Sequence, residues 1–223
     1  MPNLIKLENI KKSYIVGDQT IDVLKGIDLE INEGEFISIT GQSGSGKSTL
    51  MNIIGMLDNP TSGNYYFNNE NVADITDDEQ ALIRRKNIGF IFQSYNLISR
   101  TSAIKQVMMP LIYQGVPGKE RIKRATEALN KVGLGDKLNS LPNELSGGQQ
   151  QRISIARALV TNPLIILGDE PTGALDSKTG EEIMELMMSL NNEGKTIIII
   201  THSPEVDKYA KKRIYIKDGL ILN

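Results

Sequence analysis

The sequence predicts an α/β fold: a parallel-sheet core with an antiparallel β subdomain and an α-helical insertion subdomain. Short β-branched or aromatic runs at 36–40, 88–92, 164–167 and 196–201 are continuously apolar, as strands covered on both faces are. Between them, apolar residues recur at helical spacing. Leu50, Ile53, Ile54 and Leu57 share one face, and Ile183, Leu186, Met187 and Leu190 share another. Strands and helices thus alternate in the order of a parallel core.

The outlying pieces read differently. Residues 4–32 and the tail RIYIKDGLIL have the look of antiparallel strands, the tail turning at Asp218 and Gly219, and are expected to form a smaller sheet beside the main one. From about Ser99 to Leu145 the chain is helical and more charged, with Pro110, Pro117-Gly118 and Pro142 as expected breaks. The expected organisation is one domain over 1–223. Its core and β subdomain span 1–93 and 146–223, and its helical subdomain about 94–145.

Composition narrows the function. A hydrophobic content of 39% over 223 residues supports a sizeable core. A formal net charge of −2 lacks the basic face that nucleic acid requires, so no nucleic-acid partner is expected. There is no cysteine, which excludes disulfides, thiolate metal sites and cysteine nucleophiles and fits a reducing compartment. The longest aliphatic run, 197–200, is far short of the about 20 residues that span a bilayer, so the chain is expected not to cross a membrane by itself.

The most informative segment is GQSGSGKST at 41–49, which follows the strand FISIT and opens a helix. Gly41, Gly44 and Gly46 let the backbone curl, so that with Gln42, Ser43 and Ser45 its N–H groups point inward. The helix start at Lys47, Ser48 and Thr49 adds partial positive charge, and polyphosphate is the ligand this geometry favours. Lys47 is expected to bridge the β- and γ-phosphates of ATP, and the Ser48 hydroxyl to enter the shell of Mg²⁺. A second segment, LIILGDEPTGALD, ends an apolar strand with two carboxylates. Asp169 suits the metal shell and Glu170 the base that takes a proton from attacking water.

A third segment, LSGGQQQRISIARAL, begins at Leu145. Ser146 with Gln149 has the form of a capping box, while Gly147 and Gly148 leave bare backbone donors at a helix N-terminus. That is a second anion site in one chain, and two such sites with one nucleotide imply two copies facing each other.

With these motifs the chain resembles the ABC ATPases over essentially its whole length, which implies a P-loop, RecA-like core; LSGGQ at 145–149 is that family's signature. The resemblance implies that Tyr14 stacks on adenine, that Gln93 senses Mg²⁺ and the γ-phosphate, and that His202, the single histidine, is the switch after the last core strand. It also implies that Ala174, Leu175 and Asp176 communicate across a homodimer. Gly168 stands where relatives more often have alanine and Ser203 where many have aspartate, and neither replaces a catalytic group. LDNPTSG at 57–63, FIFQSYNLI at 90–98 and LSGGQQQR resemble the MacB, LolD and bacitracin-exporter group, which implies a bacterial exporter. In that group a homodimer serves an integral membrane permease, often with an adaptor protein, at the cytoplasmic face of the membrane, and moves antimicrobial compounds, peptides or lipoproteins. The same ATPase type resembles the division subunit FtsE. Lys47 and Ser146 lie 99 positions apart, which leaves no room for the coiled-coil insertion of chromosome-type relatives. The apolar residues Tyr95, Leu97, Ile98, Val107, Met108, Met109, Leu111, Ile112 and Tyr113 are expected to line, in part, a groove for a permease helix.

Overall fold

The computed structural model describes residues 3–222; Met1, Pro2 and Asn223, which the expected domain limits include, lie outside the described residues. The chain begins with β1 (Asn3–Val16), β2 (Gln19–Asn32), β3 (Phe36–Gly41), α1 (Lys47–Ile54), β4 (Ser62–Phe67), β5 (Glu70–Asn71) and α2 (Asp77–Asn87). It continues with β6 (Ile88–Phe92), α3 (Ala103–Tyr113), α4 (Gly118–Lys131), a 3₁₀ turn (Pro142–Glu144), α5 (Gly147–Leu159) and β7 (Ile165–Asp169). It closes with α6 (Ser177–Asn192), β8 (Thr196–Ile200), α7 (Pro204–Asp207), β9 (Lys212–Lys217) and β10 (Leu220–Leu222). These elements group into two compact units, Met1–Arg84 with Thr196–Asn223, and Arg85–Lys195.

In the first unit, an antiparallel sheet runs in the order β2-β1-β4-β5. The alternation along β2 buries Leu24, Ile27, Leu29 and Ile31 on one face, and Leu7 of β1 sits between Leu29 and Tyr65 in register. The Tyr65 hydroxyl reaches the Ile54 carbonyl at 2.7 Å and so fixes β4 to the end of α1. Residues 4–32 therefore form the small sheet as expected.

The tail does not join it. β9 lies parallel to β3, with Ile39 opposite Ile214, and β8 lies parallel on the other side, with Phe36 opposite Ile197. The buried strand β3 has hydrogen-bonding edges on both sides, and Ile214 and Ile216 bury on β9, so this pairing satisfies backbone and side chains together. The expected turn is present: Asp218 and Gly219 have φ of 50° and 82°, the positive pair that a tight hairpin between β9 and β10 requires. α1 covers this sheet with Leu50, Met51, Ile53 and Ile54. Leu57 lies past the helix end, 47% exposed, so it is not on the buried face as expected.

In the second unit, β6 and β7 pair in parallel, which brings Phe92 opposite Asp169. Helices α3, α4 and α5 pack on one another, and α5 also packs on β6 and α6. Pro117 caps α4 and Pro142 opens the 3₁₀ turn, but Pro110 is not a break. The helix α3 runs through it because Val107 and Leu111, both 0% exposed, anchor the turns on either side, and burial there outweighs the one lost backbone bond.

Candidate functional site

In the first unit the phosphate-loop candidates and His202 follow the carboxyl ends of parallel strands, where such sheets bind ligands. β3 leads into the loop 42–46, and α1 starts at Lys47. Gly41 has φ 150°, and a Cβ there would fall 2.1 Å from the Ile216 carbonyl oxygen; Gly46 has φ 105° and lies against Leu24 and Val23. Glycine at these places is demanded by the β-sheet neighbours as well as by the turn. Gln42, Ser43, Gly44 and Ser48 are exposed around the loop, and Thr49 is half-buried. The Lys47 ammonium folds back over it, donating to the carbonyls of Gly41 (2.9 Å) and Gln42 (2.8 Å), which holds the charge at the loop mouth. Ser45 is turned the other way: its hydroxyl is buried without a hydrogen-bond partner, and its carbonyl accepts from Gly219 at 3.1 Å.

His202 follows β8 and is exposed; Thr201 donates its N–H to the Ile39 carbonyl at 3.2 Å, so the His202 segment and the phosphate loop leave adjacent strands at the same end. Tyr14 lies on β1, 38% exposed. Its hydroxyl donates to Asp58 at 2.7 Å, and the Lys12 ammonium lies 4.9 Å from its ring centroid. Burial, with help from the Asp58 bond, pushes the phenol above its usual pKa. Burial acts on Asp58 in the same upward sense, but the bonds from Lys12 and Tyr14 outweigh it and hold the carboxyl below its usual range. Lys12 and Asp58, unremarked in the sequence, thus fix how the Tyr14 ring is presented.

The second unit gathers the rest. Because Phe92 pairs with Asp169, the residues that follow, Gln93 and Glu170, emerge side by side from β6 and β7. Glu170 adopts φ 47°, a left-handed conformation costly for a side chain of this kind, of about 1–3 kcal/mol. The turn is closed by the Gly173 N–H on the Glu170 carbonyl at 3.0 Å. The Gln93 side chain lies on Gly173, where a Cβ would come within 2.8 Å of its Nε2. Asp176 caps α6, its carboxylate accepting from the Thr179 N–H at 3.0 Å; the Thr179 hydroxyl and that N–H hold it below the usual carboxylate range.

The Ser146 capping box is present. Its hydroxyl accepts from Gln149 N–H at 3.3 Å, and the Gln149 side chain accepts from Ser146 N–H at 3.0 Å. Gly147 and Gly148 have a packing reason besides bare donors. A Cβ on Gly147 would fall 2.9 Å from the Tyr95 hydroxyl, and one on Gly148 would fall 2.4 Å from the Thr179 methyl. Two side chains farther along α5 are additions to the site that the sequence did not single out. Gln151 donates to the carbonyls of Pro171 and Phe92, and Arg157 to those of Tyr95 (2.8 Å) and Asn96 (2.6 Å). Among the described residues no cluster of three or more His, Asp or Glu forms a metal centre built of protein alone, and no helix is long and apolar enough to cross a membrane.

The family model described as ABC transporter matches residues 24–173. The uncharacterized ABC transporter ATP-binding protein YknY of Bacillus subtilis is 52% identical over 98% of this chain and 95% of its own length. The macrolide export ATP-binding/permease protein MacB of Brucella abortus is 54% identical over 99% of this chain, which spans 34% of that longer protein. Among solved structures, the dimeric post-hydrolysis state of the ATP-binding cassette MJ0796 bound to ADP and Pi superposes with a TM-score of 0.90 at 50% identity, covering 99% of this chain and 97% of that one. The chain therefore belongs to the ABC transporter family, as an ATP-binding cassette and an ABC-type ATPase.

Proposed function

We propose that this cassette works as one half of a homodimer that closes around two MgATP and drives a separate membrane permease of the MacB-like export group. The carrying observation is the exposed, Ser146-capped start of α5, a helix terminus whose first donors suit an anion, in a chain that already has a phosphate loop. The dimeric MJ0796 cassette, bound to ADP and Pi, supports a pairing of two copies. In the proposed pair, the phosphate loop of one subunit serves ATP together with Ser146, Gly147, Gly148 and Gln149 of the other.

Each residue then has a task. Gly41, Gln42, Ser43, Gly44, Ser45, Gly46, Lys47, Ser48 and Thr49 hold the phosphates, and Tyr14 stacks on adenine. Ser48, Gln93 and Asp169 offer only oxygen ligands of the hydroxyl, amide and carboxylate kinds, the donor set Mg²⁺ favours, and would hold it with the phosphates. When bound, Mg²⁺ supplies charge neutralisation on the β- and γ-phosphate oxygens. Glu170 orients the attacking water and takes its proton, Lys47 and His202 stabilise charge on the transferring phosphoryl, and Asp176 carries the state of one site to the other subunit. To swing the dimer from 1:99 to 99:1 closed, ATP must favour the closed form by about 5.5 kcal/mol, which is why both subunits must use the γ-phosphate.

The relatives named for macrolide and pyoverdine export support an exporter role. In this reading the cassette works at the cytoplasmic face of the membrane, held there by its permease. MacB, in which a region matching this chain makes up about a third of an ATP-binding/permease protein, supports a permease as the partner. Val107 and Leu111 belong to the core of the second unit and are withdrawn from the docking groove; Ile98, Ile112 and Tyr113, at 48%, 51% and 68% exposure, are its most exposed members, while Tyr95, Leu97, Met108 and Met109, including the Leu97 and Met108 expected to be exposed, are half-buried. We assign residues 94–145 to a helical subdomain that carries this contact. The decisive experiment is Glu170→Gln: it should retain ATP binding, accumulate the ATP-bound dimer, and lose roughly 10² to 10⁴-fold in hydrolysis. Near-normal turnover would falsify the assignment.

A further inference from the structure

We propose that Gln151 is a positioning residue that braces the Gln93 loop and the Glu170 loop against α5 and so sets the distance between the two groups that act on the γ-phosphate and the water. The inference rests on the ATPase reading above. Gln151 is 0% exposed, and its single carboxamide nitrogen faces two main-chain carbonyls from different loops. One belongs to Pro171, immediately after Glu170; the other, at 3.4 Å, belongs to Phe92, immediately before Gln93. Both neighbours are acceptors, so the side-chain orientation is fixed by chemistry: the NH₂ group faces them.

The other half of the carboxamide identifies its purpose. The Oε1 atom of Gln151 is buried and has no hydrogen-bond partner. A side chain present only to fill space would be methionine or leucine, which carry no buried acceptor to leave unpaired. What glutamine adds is the pair of donors, and these go to the two loops that carry the chemistry. Both loops need holding, since Glu170 sits at φ 47° and Tyr95 and Asn96 at 59° and 50°. Arg157, two turns farther along α5, ties down the second of them through the carbonyls of Tyr95 and Asn96. The helix whose first turn bears Ser146 is therefore the same rigid body that sets Gln93 against Glu170, so the state of the signature end and the geometry for hydrolysis are linked through α5.

The test is Gln151→Met, which keeps length and volume and removes both donors. The variant should unfold at a temperature close to wild type, bind ATP within about twofold, and lose roughly tenfold or more in kcat with KM nearly unchanged. Its effect should also shrink in a Gln93→Ala background, because the brace then has one partner fewer to position. The proposal is overturned if Gln151→Met turns over within twofold of wild type, if its loss is mainly in ATP affinity, if the losses with Gln93→Ala are fully additive, or if the variant does not fold. In the last case the carboxamide serves the fold and not the site. Failure of the ATPase reading would show separately, as Glu170→Gln hydrolysing normally in a chain with wild-type Gln151.

Discussion

The Asp58 carboxylate joins Tyr14 to Lys12: it accepts the phenolic hydrogen at 2.7 Å and the ammonium at 2.5 Å, and Lys12 in turn lies over the Tyr14 ring. If Tyr14 carries the adenine, its ring must be held at one angle, and Asp58 does the holding. Tyr14→Ala should raise the KM for ATP by about tenfold, in line with the worth of one base–aromatic stack, with kcat little changed. Asp58→Ala should raise it by about threefold through loss of ring orientation. Asp58 titrates below its ordinary value in the folded chain, so its contribution is complete above the ordinary carboxylate range and is lost only as pH falls through the lowered value. The ratio of the Asp58→Ala KM to the wild-type KM should thus be flat across neutral and mildly acid pH. A KM unchanged by both substitutions removes Tyr14 from the site.

The contact of Gly148 with Thr179 predicts a repairable defect. Gly148→Ala places a methyl group 2.4 Å from the Thr179 methyl, forcing α5 and α6 apart, and should cost about 1–3 kcal/mol of stability. Thr179→Ser removes that methyl and keeps the hydroxyl that bonds Asp176. The double variant should recover most of the loss, measured as a coupling in denaturant unfolding. Additive losses would mean that the cost of a methyl group at position 148 does not come from its contact with Thr179.

How far the sequence carried depends on the range of the contacts. The phosphate loop was legible because its glycines, lysine and following helix are contiguous, although the clash that demands Gly41 comes from Ile216 on a distant strand. The hairpin turn at Asp218 and Gly219 was legible for the same local reason. The partner of β9 was not, since alternation shows that a strand exists and says nothing of which edge it joins. Pro110 failed as a helix break because burial of Val107 and Leu111 overrides a local preference. Gln151 and Arg157 escaped notice for a further reason: their partners are backbone carbonyls, which leave no mark on residue type.

Sharing of each ATP between subunits predicts complementation between two dead chains. Lys47→Ala disables the phosphate loop, and Ser146→Arg puts a bulky charge at the start of α5 in place of its capping hydroxyl. Each homodimer then has two broken sites. A mixed dimer has one site broken twice over and one intact site, made from the phosphate loop of the Ser146→Arg chain and the α5 terminus of the Lys47→Ala chain. With equal mixing, half the dimers are mixed and each holds one good site of two, so independent sites would restore about a quarter of wild-type hydrolysis. Loss of the cap costs about 1 kcal/mol, so thermal unfolding of Ser146→Arg must first show a folded chain. Turnover is then followed as the ratio of the chains is varied, and it should peak at equal amounts. A flat line near zero, with mixed dimers demonstrated by differential tagging, would rule out head-to-tail sharing; recovery that rises linearly with either chain alone would mean that each subunit hydrolyses ATP without the other's α5.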